Sequence, residues 1–191
     1  MNSGKYRGWK LSKGQTDNSY LADKIALRLS MIPEKKELRV IDAFHGTGTI
    51  WKNIQKKYAG DIKITRIDIE QKDDAFMLIG DNTKFLASLP LEKYDVIDLD
   101  AYGVPYDQLK IIFDRGYRGL VFVTFIQSVM GRLQNDFLID LGYTSEMIRK
   151  CPALFSKRGR EKFLRWLALH GIKHIKIRSH ARKSYLGFNI K

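Results

Sequence analysis

Residues 38–50, LRVIDAFHGTGTI, constrain the fold of this chain more than any other stretch. An apolar run through Val40 and Ile41 closes on Asp42. A Gly-x-Gly turn follows at Gly46 and Gly48, and Thr49, Ile50 and Trp51 open a segment of helical spacing. A strand, a turn that lets backbone approach a ligand and a helix start, in that order, form the corner where open α/β sheets bind cofactors carrying adenosine or phosphate groups. Trp51 stands where a dinucleotide fingerprint has its third glycine, and no Gly-Lys-Ser/Thr follows. Neither a dinucleotide site of that type nor a P-loop is indicated.

The rest of the chain alternates strands with helices. Ser19 is placed to cap a helix carrying Leu21, Ile25, Leu29 and Ile32, which Pro33 ends. Apolar runs predict strands at 38–44, 62–68, 76–79, 94–99 and 119–125, the last buried on both faces. Thr83 opens a short helix before Pro90, Pro105 starts one with Leu109, Ile112 and Phe113, and helical patterns recur at 127–140 and 160–170. Residues 172–178 and 185–190 read as a closing hairpin. These elements predict an α/β fold, a Rossmann-like doubly wound sheet of about seven mostly parallel strands with a C-terminal antiparallel hairpin. One domain is expected over 18–191, behind a basic N-terminal arm at 1–17 and with a basic C-terminal region at 149–191. Only about seven residues join strands two and three, too few for a crossover helix. One face of the sheet should be thin there, leaving the adenine side of the pocket open.

Charge is distributed unevenly. The net formal charge is +13, and residues 149–191 hold thirteen Lys/Arg against the single acid Glu161, a local +12. Lys5, Arg7, Lys10 and Lys13 add four more, leaving the middle at −3. Basic ends suit a polyanion and an acidic middle suits a cationic cofactor. The single cysteine, Cys151, fits a reducing compartment, and neither a leader nor a membrane span is read, so a cytoplasmic location is expected.

Acids end each of the first four expected strands: Asp42, Asp68 with Glu70, Asp81 with Asn82, and Asp98 with Asp100. Ligands of such sheets bind beyond these strand ends. Asp68 is placed to accept from ribose hydroxyls and Asp81 from an adenine amine. With its Asp42-x-Phe44-x-Gly46-x-Gly48-Thr49 form, the first corner resembles motif I of class I S-adenosylmethionine (SAM) methyltransferases, most of all the branch acting on exocyclic amines of bases. The resemblance implies SAM as cofactor, with Asp42, Phe44, Gly46, Gly48, Asp68 and Asp81 around it.

The fourth strand runs into Asp100-Ala101-Tyr102-Gly103. An exocyclic amine is a poor nucleophile because its lone pair is delocalised into the ring. A carboxylate and a carbonyl accepting its N–H bonds favour the reactive form, here Asp100 and the Ala101 carbonyl, while Tyr102 stacks on the base. The stretch resembles motif IV of amino methyltransferases and, more closely, the Asp-Leu-Asp-Pro-Phe-Gly form of the tRNA guanine dimethyltransferase family. The likeness covers roughly residues 38–131. Ala101 replaces that family's proline, and its additional C-terminal domain has no counterpart in the residues that follow. The resemblance implies an amine-directed methyltransferase and leaves its particular substrate open. With no target-recognition segment to be read in the sequence, RNA is favoured over DNA, or a protein partner supplies specificity. The main rival is a non-catalytic nucleic-acid-binding protein that keeps the fold, and a third reading, a protein or small-molecule methyltransferase, is disfavoured by the basic ends.

Asp98 and Asp100 share a strand face and could pair on a metal. Asp98 reads more simply as a buried, hydrogen-bonded acid, and no metal is expected. His170, His174, His180 and Cys151 lack the spacing of a zinc site, and His45 is expected to serve through its backbone. Nucleic-acid contact is expected at Lys5, Tyr6, Arg7, Trp9 and Lys10, where cations alternate with aromatics. A second group is Arg158 and Arg160 at a helix start with Arg182 and Lys183 at the hairpin turn, where positive charge opposes the helix dipole.

Overall fold

The computed structural model describes residues 20–71, 76–126, 133–151, 157–180 and 183–191. Its seven strands are β1 (Glu37–Asp42), β2 (Asp61–Asp68), β3 (Leu78–Ile79), β4 (Val96–Leu99), β5 (Gly119–Ile126), β6 (Ile175–Ser179) and β7 (Lys183–Ile190). The helices are α1 (Leu21–Leu29), α2 (Thr49–Gln55), α3 (Asn82–Ser88), α4 (Tyr106–Asp114), α5 (Asn135–Asp140), α6 (Ser145–Lys150) and α7 (Gly159–Leu169). All strands join one sheet in the order β3-β2-β1-β4-β5-β7-β6. The pairs from β3 through β5 are parallel, and β7 runs antiparallel to both β5 and β6. The expected doubly wound sheet with its hairpin is therefore present.

Successive residues on the central strands enter opposite layers. Val40, Val96, Leu120 and Phe122 pack with Ile25 and Leu27 of α1 and Trp51 and Ile54 of α2. Their neighbours Ile41, Ile97, Val121 and Val123 pack with Leu109 and Ile112 of α4 and Phe163 and Trp166 of α7. This double burial explains why β4 and β5 are almost continuously apolar.

Several boundaries differ from expectation. The first helix ends at Leu29 because Met31 and Ile32 both return their N–H groups to the Arg28 carbonyl. Ser19, its expected cap, lies outside the described residues. β4 starts at Val96 rather than at 94, since the Asp95 carboxylate accepts from the Arg39 N–H and Lys35 and turns the chain in. β3 is only Leu78–Ile79, paired with Ile67 and Asp68, and Phe76 is exposed. The described part of the β2–β3 connection contains no helix. Of the pattern at 127–140 only α5 falls in the described residues, and α6 was not foreseen. It is six residues long, too short to show periodicity, and Thr144 caps it by accepting from Met147 N. Among the described residues no helix is long and apolar enough to cross a membrane.

Candidate cofactor and acceptor site

The glycine turn follows β1 and is tied to both neighbouring strands. Ala43 N donates to the Asp98 carbonyl and His45 N to the Ile67 carbonyl, each at 3.0 Å. Gly46 (φ 57°) and Gly48 (φ 68°) are both left-handed, a conformation that costs other residues about 1–2 kcal/mol. A Cβ on Gly48 would stand 2.5 Å from the His45 imidazole, whereas a Cβ on Gly46 would meet nothing within 4 Å. Gly48 is therefore required by packing inside the protein. Gly46 faces open space, as a backbone segment approached by a ligand would.

His45 contributes its side chain as well as its backbone, which corrects the sequence expectation. The imidazole is buried over Gly48, with Nδ1 2.8 Å from Asp42 Oδ2. Asp42 is itself buried beneath the turn. Burial pushes its carboxyl up to about 6, with Asp98 and Asp100 adding to the rise and His45 opposing it. Asp42 thus supports the turn through His45, and Phe44 packs partly buried against the core.

Asp68 ends β2 with Oδ2 accepting from Gly46 N at 2.7 Å and Oδ1 from Glu70 N at 3.3 Å. Asp81 is the N-cap of α3. Its Oδ1 accepts from Thr83 N and Oγ1, bonds that hold the carboxyl below the usual range. Beside it, Asn82 donates to the Ala43 carbonyl and accepts from Gln108, fastening the start of α3 to the end of β1. Ile69, Phe76 and Ile79, beside the tips of β2 and β3, are all exposed apolar side chains. They give the described part of this edge an apolar surface.

The two acids of β4 have different surroundings. Asp98 is fully buried, and Arg28 of α1 grips both its oxygens, Nε at 2.6 Å and Nη2 at 2.7 Å. Trp51 Nε1 adds a third bond at 2.8 Å. The tryptophan in place of the third glycine thus donates into the β4 acid. Burial alone would weaken the Arg28 charge, but Asp98 outweighs it and holds the guanidinium firmly protonated. Asp98 is the buried, hydrogen-bonded acid expected.

Asp100, one strand period on, accepts from Lys24 Nζ at 2.8 Å on Oδ2 and from Thr124 Oγ1 on Oδ1. Burial would raise its carboxyl, but the charges of Arg28 and Lys24 and these two bonds prevail and hold it below its ordinary value. Ala101 is buried, whereas Tyr102 is 76% exposed. Gly103 (φ 125°) turns the loop back so that its carbonyl accepts from Ile126 N at the end of β5. The expected acceptor residues thus lie on a loop fastened at both sides, with the aromatic ring presented outward. Lys24, Arg28 and Thr124 were missed, and only their polarity within otherwise apolar elements could have marked them.

Among the described residues no group of three or more His, Cys, Asp or Glu side chains could hold a metal ion. Lys5, Tyr6, Arg7, Trp9, Lys10 and Arg182 lie outside the described residues. Arg158 precedes α7 in a left-handed conformation (φ 53°), exposed and 3.8 Å from Glu161. Arg160 reaches Ser179 of β6 at 3.1 Å, which brings the start of α7 to the hairpin that Lys183 begins. The two parts of the basic C-terminal region therefore adjoin.

No protein-family model matches the chain, and no curated protein matches it in sequence. Solved structures do match. A SAM-dependent methyltransferase from Archaeoglobus fulgidus superimposes with a TM-score of 0.54 at 13% identity, over 88% of this chain and 93% of that one. A precorrin-6y C5,15-methyltransferase from Geobacter metallireducens gives 0.54 at 12% identity, over 95% and 92%. The CurJ carbon methyltransferase gives 0.56 at 12% identity over 89% of this chain, which spans 55% of that longer protein. The names give carbon as the acceptor for CurJ and precorrin-6y for the Geobacter protein, and no acceptor for the Archaeoglobus protein, so the common feature is the scaffold. At this level of identity the likeness establishes one thing: this chain has the Rossmann-like fold of SAM-dependent methyltransferases.

Proposed function

We propose that the chain transfers a methyl group from SAM to an exocyclic amino group of a nucleic-acid base, in a tRNA-like RNA before DNA. One juxtaposition carries the reading. Along a single edge of a methyltransferase-fold sheet lie the open Gly46 backbone, Asp68 at the tip of β2, and Asp100 followed by an exposed Tyr102. These residues fit SAM: Gly46 leaves room for close approach, Asp68 suits ribose hydroxyls, and Asp81 at the start of α3 suits the adenine amine. SAM supplies a methyl group on a sulfonium whose departure as a neutral thioether needs no general acid. Asp100 and the Ala101 carbonyl accept the N–H bonds of the amine, and Tyr102 holds the base by stacking, so positioning supplies most of the acceleration. The basic surface at Arg158, Arg160 and Lys183, with the arm at 1–17, grips phosphates. A protein partner adds specificity, and the single thiol suits the cytoplasm.

The test is to incubate the protein with labelled SAM and separate RNA and DNA pools. Transfer to amine-bearing RNA is expected. Asp100→Ala should abolish it while RNA affinity changes little, because phosphates supply most of that affinity. Full activity in Asp100→Ala rejects the mechanism, and calorimetry without SAM binding rejects the cofactor. A second reading, a non-catalytic nucleic-acid binder, is favoured by Ala101 and by the two donors already on Asp100. SAM binding without transfer to any pool would support it.

A further inference from the structure

We propose that Lys24 is a positioning residue, which together with Thr124 fixes Asp100 as an acceptor-only group that admits amines and rejects carbonyls at the acceptor site. This rests on the proposed function and assigns its selectivity to α1.

The pair could be a mere tether, but α1 is already docked without it. Ile25 and Leu27 enter the core, and Arg28 grips Asp98 through two bonds. A lysine ammonium with its side chain only 10% exposed is a costly addition to a helix so anchored. Its surroundings are specific. Nζ sits 2.8 Å from Asp100 and 5.3 Å from the centroid of the Tyr185 ring on β7. Thr124 approaches the other carboxylate oxygen from β5. Donors on opposite oxygens fix the plane of the carboxylate. An ionised carboxylate has about four acceptor directions, so further ones remain for a substrate N–H.

Asp98 makes the contrast. It accepts three bonds and its side chain is 1% exposed, whereas Asp100 accepts two and its side chain keeps 15%. One acid is consumed by the fold and its strand neighbour is left presentable. Around Asp100 stand Lys24 and Arg28 from α1, Asp42 from β1, Asp98 from β4, Thr124 from β5 and Tyr185 from β7. Two cations serve three carboxylates, and without Lys24 a proton would compete for Asp100. A protonated Asp100 could donate to a carbonyl, and the preference for amino groups would be lost.

The experiment follows the Asp100 carboxyl carbon by NMR across pH in the wild type, Lys24→Met, Lys24→Arg and Thr124→Val. It is paired with pH profiles of methyl transfer to amine-bearing RNA. Lys24→Met should raise the Asp100 titration and the acid limb of kcat together, by about 1–3 pH units. It should also lower kcat on the order of 100-fold at neutral pH while KM for RNA stays near wild type. Lys24→Arg should restore both, and Thr124→Val should move them the same way but less, giving a second reading if Lys24→Met does not fold. An active enzyme whose Asp100 titration and acid limb stay in place in Lys24→Met, or in Thr124→Val if that alone folds, overturns the role of Lys24 and leaves the proposed reaction standing. A wild type that transfers no methyl group to any pool overturns both.

Discussion

Replacing Arg28 by methionine tests the electrostatics beneath the site. Both side chains of the Arg28–Asp98 pair are 1% exposed, so the variant leaves a carboxylate in the core with only the Trp51 N–H to satisfy it. Breaking a buried pair from one side costs about 3–5 kcal/mol, because the remaining charge is uncompensated. The guanidinium also lies 5.2 Å from the Phe122 ring centroid, and methionine replaces that contact only in part. For a domain of this size each kcal/mol moves Tm by about 2–4 °C, so a fall of about 6–20 °C is expected by calorimetry. The control is Arg28→Met with Asp98→Leu, which removes both charges and should return to within about 2 kcal/mol of wild type. With Asp98→Leu measured alone, the change in the double variant minus the changes in the two single variants gives the coupling energy of the pair. If Arg28→Met alone melts within about 1 kcal/mol of wild type, the core tolerates the unpaired acid and the reasoning fails.

Three further outcomes follow from the same geometry. The Asp42 carboxyl, at about 6 in the fold, stays protonated at pH values where the unfolded chain has released the proton. Stability should therefore fall as pH rises from about 4 to 6, by up to ~3 kcal/mol, and Asp42→Asn, which keeps an acceptor for His45, should lose that fall. Stabilities from denaturant titrations that change equally with pH in the wild type and Asp42→Asn across this window would contradict the assignment. Gly48→Ala should destabilise by more than the ~1–2 kcal/mol of left-handed strain because its Cβ meets His45, whereas Gly46→Ala should carry the strain alone yet weaken SAM binding more. The reverse order in melting and calorimetry would remove Gly46 from the cofactor site. Replacing Arg158, Arg160, Arg182 and Lys183 together by Ser should flatten the salt dependence of RNA binding, each lost phosphate contact removing about 0.7–0.9 from the log–log slope. An unchanged slope in fluorescence titrations would mean these charges only solvate the surface.

The sheet was legible in the sequence because β1, β4 and β5 are buried on both faces, and such runs have few alternatives in a chain that also carries helical spacing. The glycine corner was legible because its turn needs residues that tolerate positive φ. What escaped notice depended on distance along the chain. Lys24 and Arg28 lie 76 and 70 residues from their partners, and on a helical wheel they read as ordinary solvated cations. Trp51 could be recognised as a departure from a glycine pattern, yet its donation to Asp98 could not. The capping of α3 by Asp81 was foreseeable from Thr83 two residues on. It stands beside the adenine role, since both bonds fall on one oxygen of the carboxylate.

The position of β7 has a consequence for how the chain is made. It is the last strand in sequence but lies between β5 and β6 in space, pairing β5 from Gly119 through Ile126. During synthesis β1 to β5 can assemble parallel to one another as each emerges, yet the outer edge of β5, Leu120 to Phe125, has no strand to cover it until residue 183 and those after it have been released. That edge is apolar, β-branched and free of proline and charge, the composition most prone to pair with another chain. A ribosome stalled anywhere in the basic region would hold out a nearly complete sheet with its most adhesive strand exposed. Expression yield should therefore depend more on the speed with which the closing hairpin is delivered than on the stability of the finished fold.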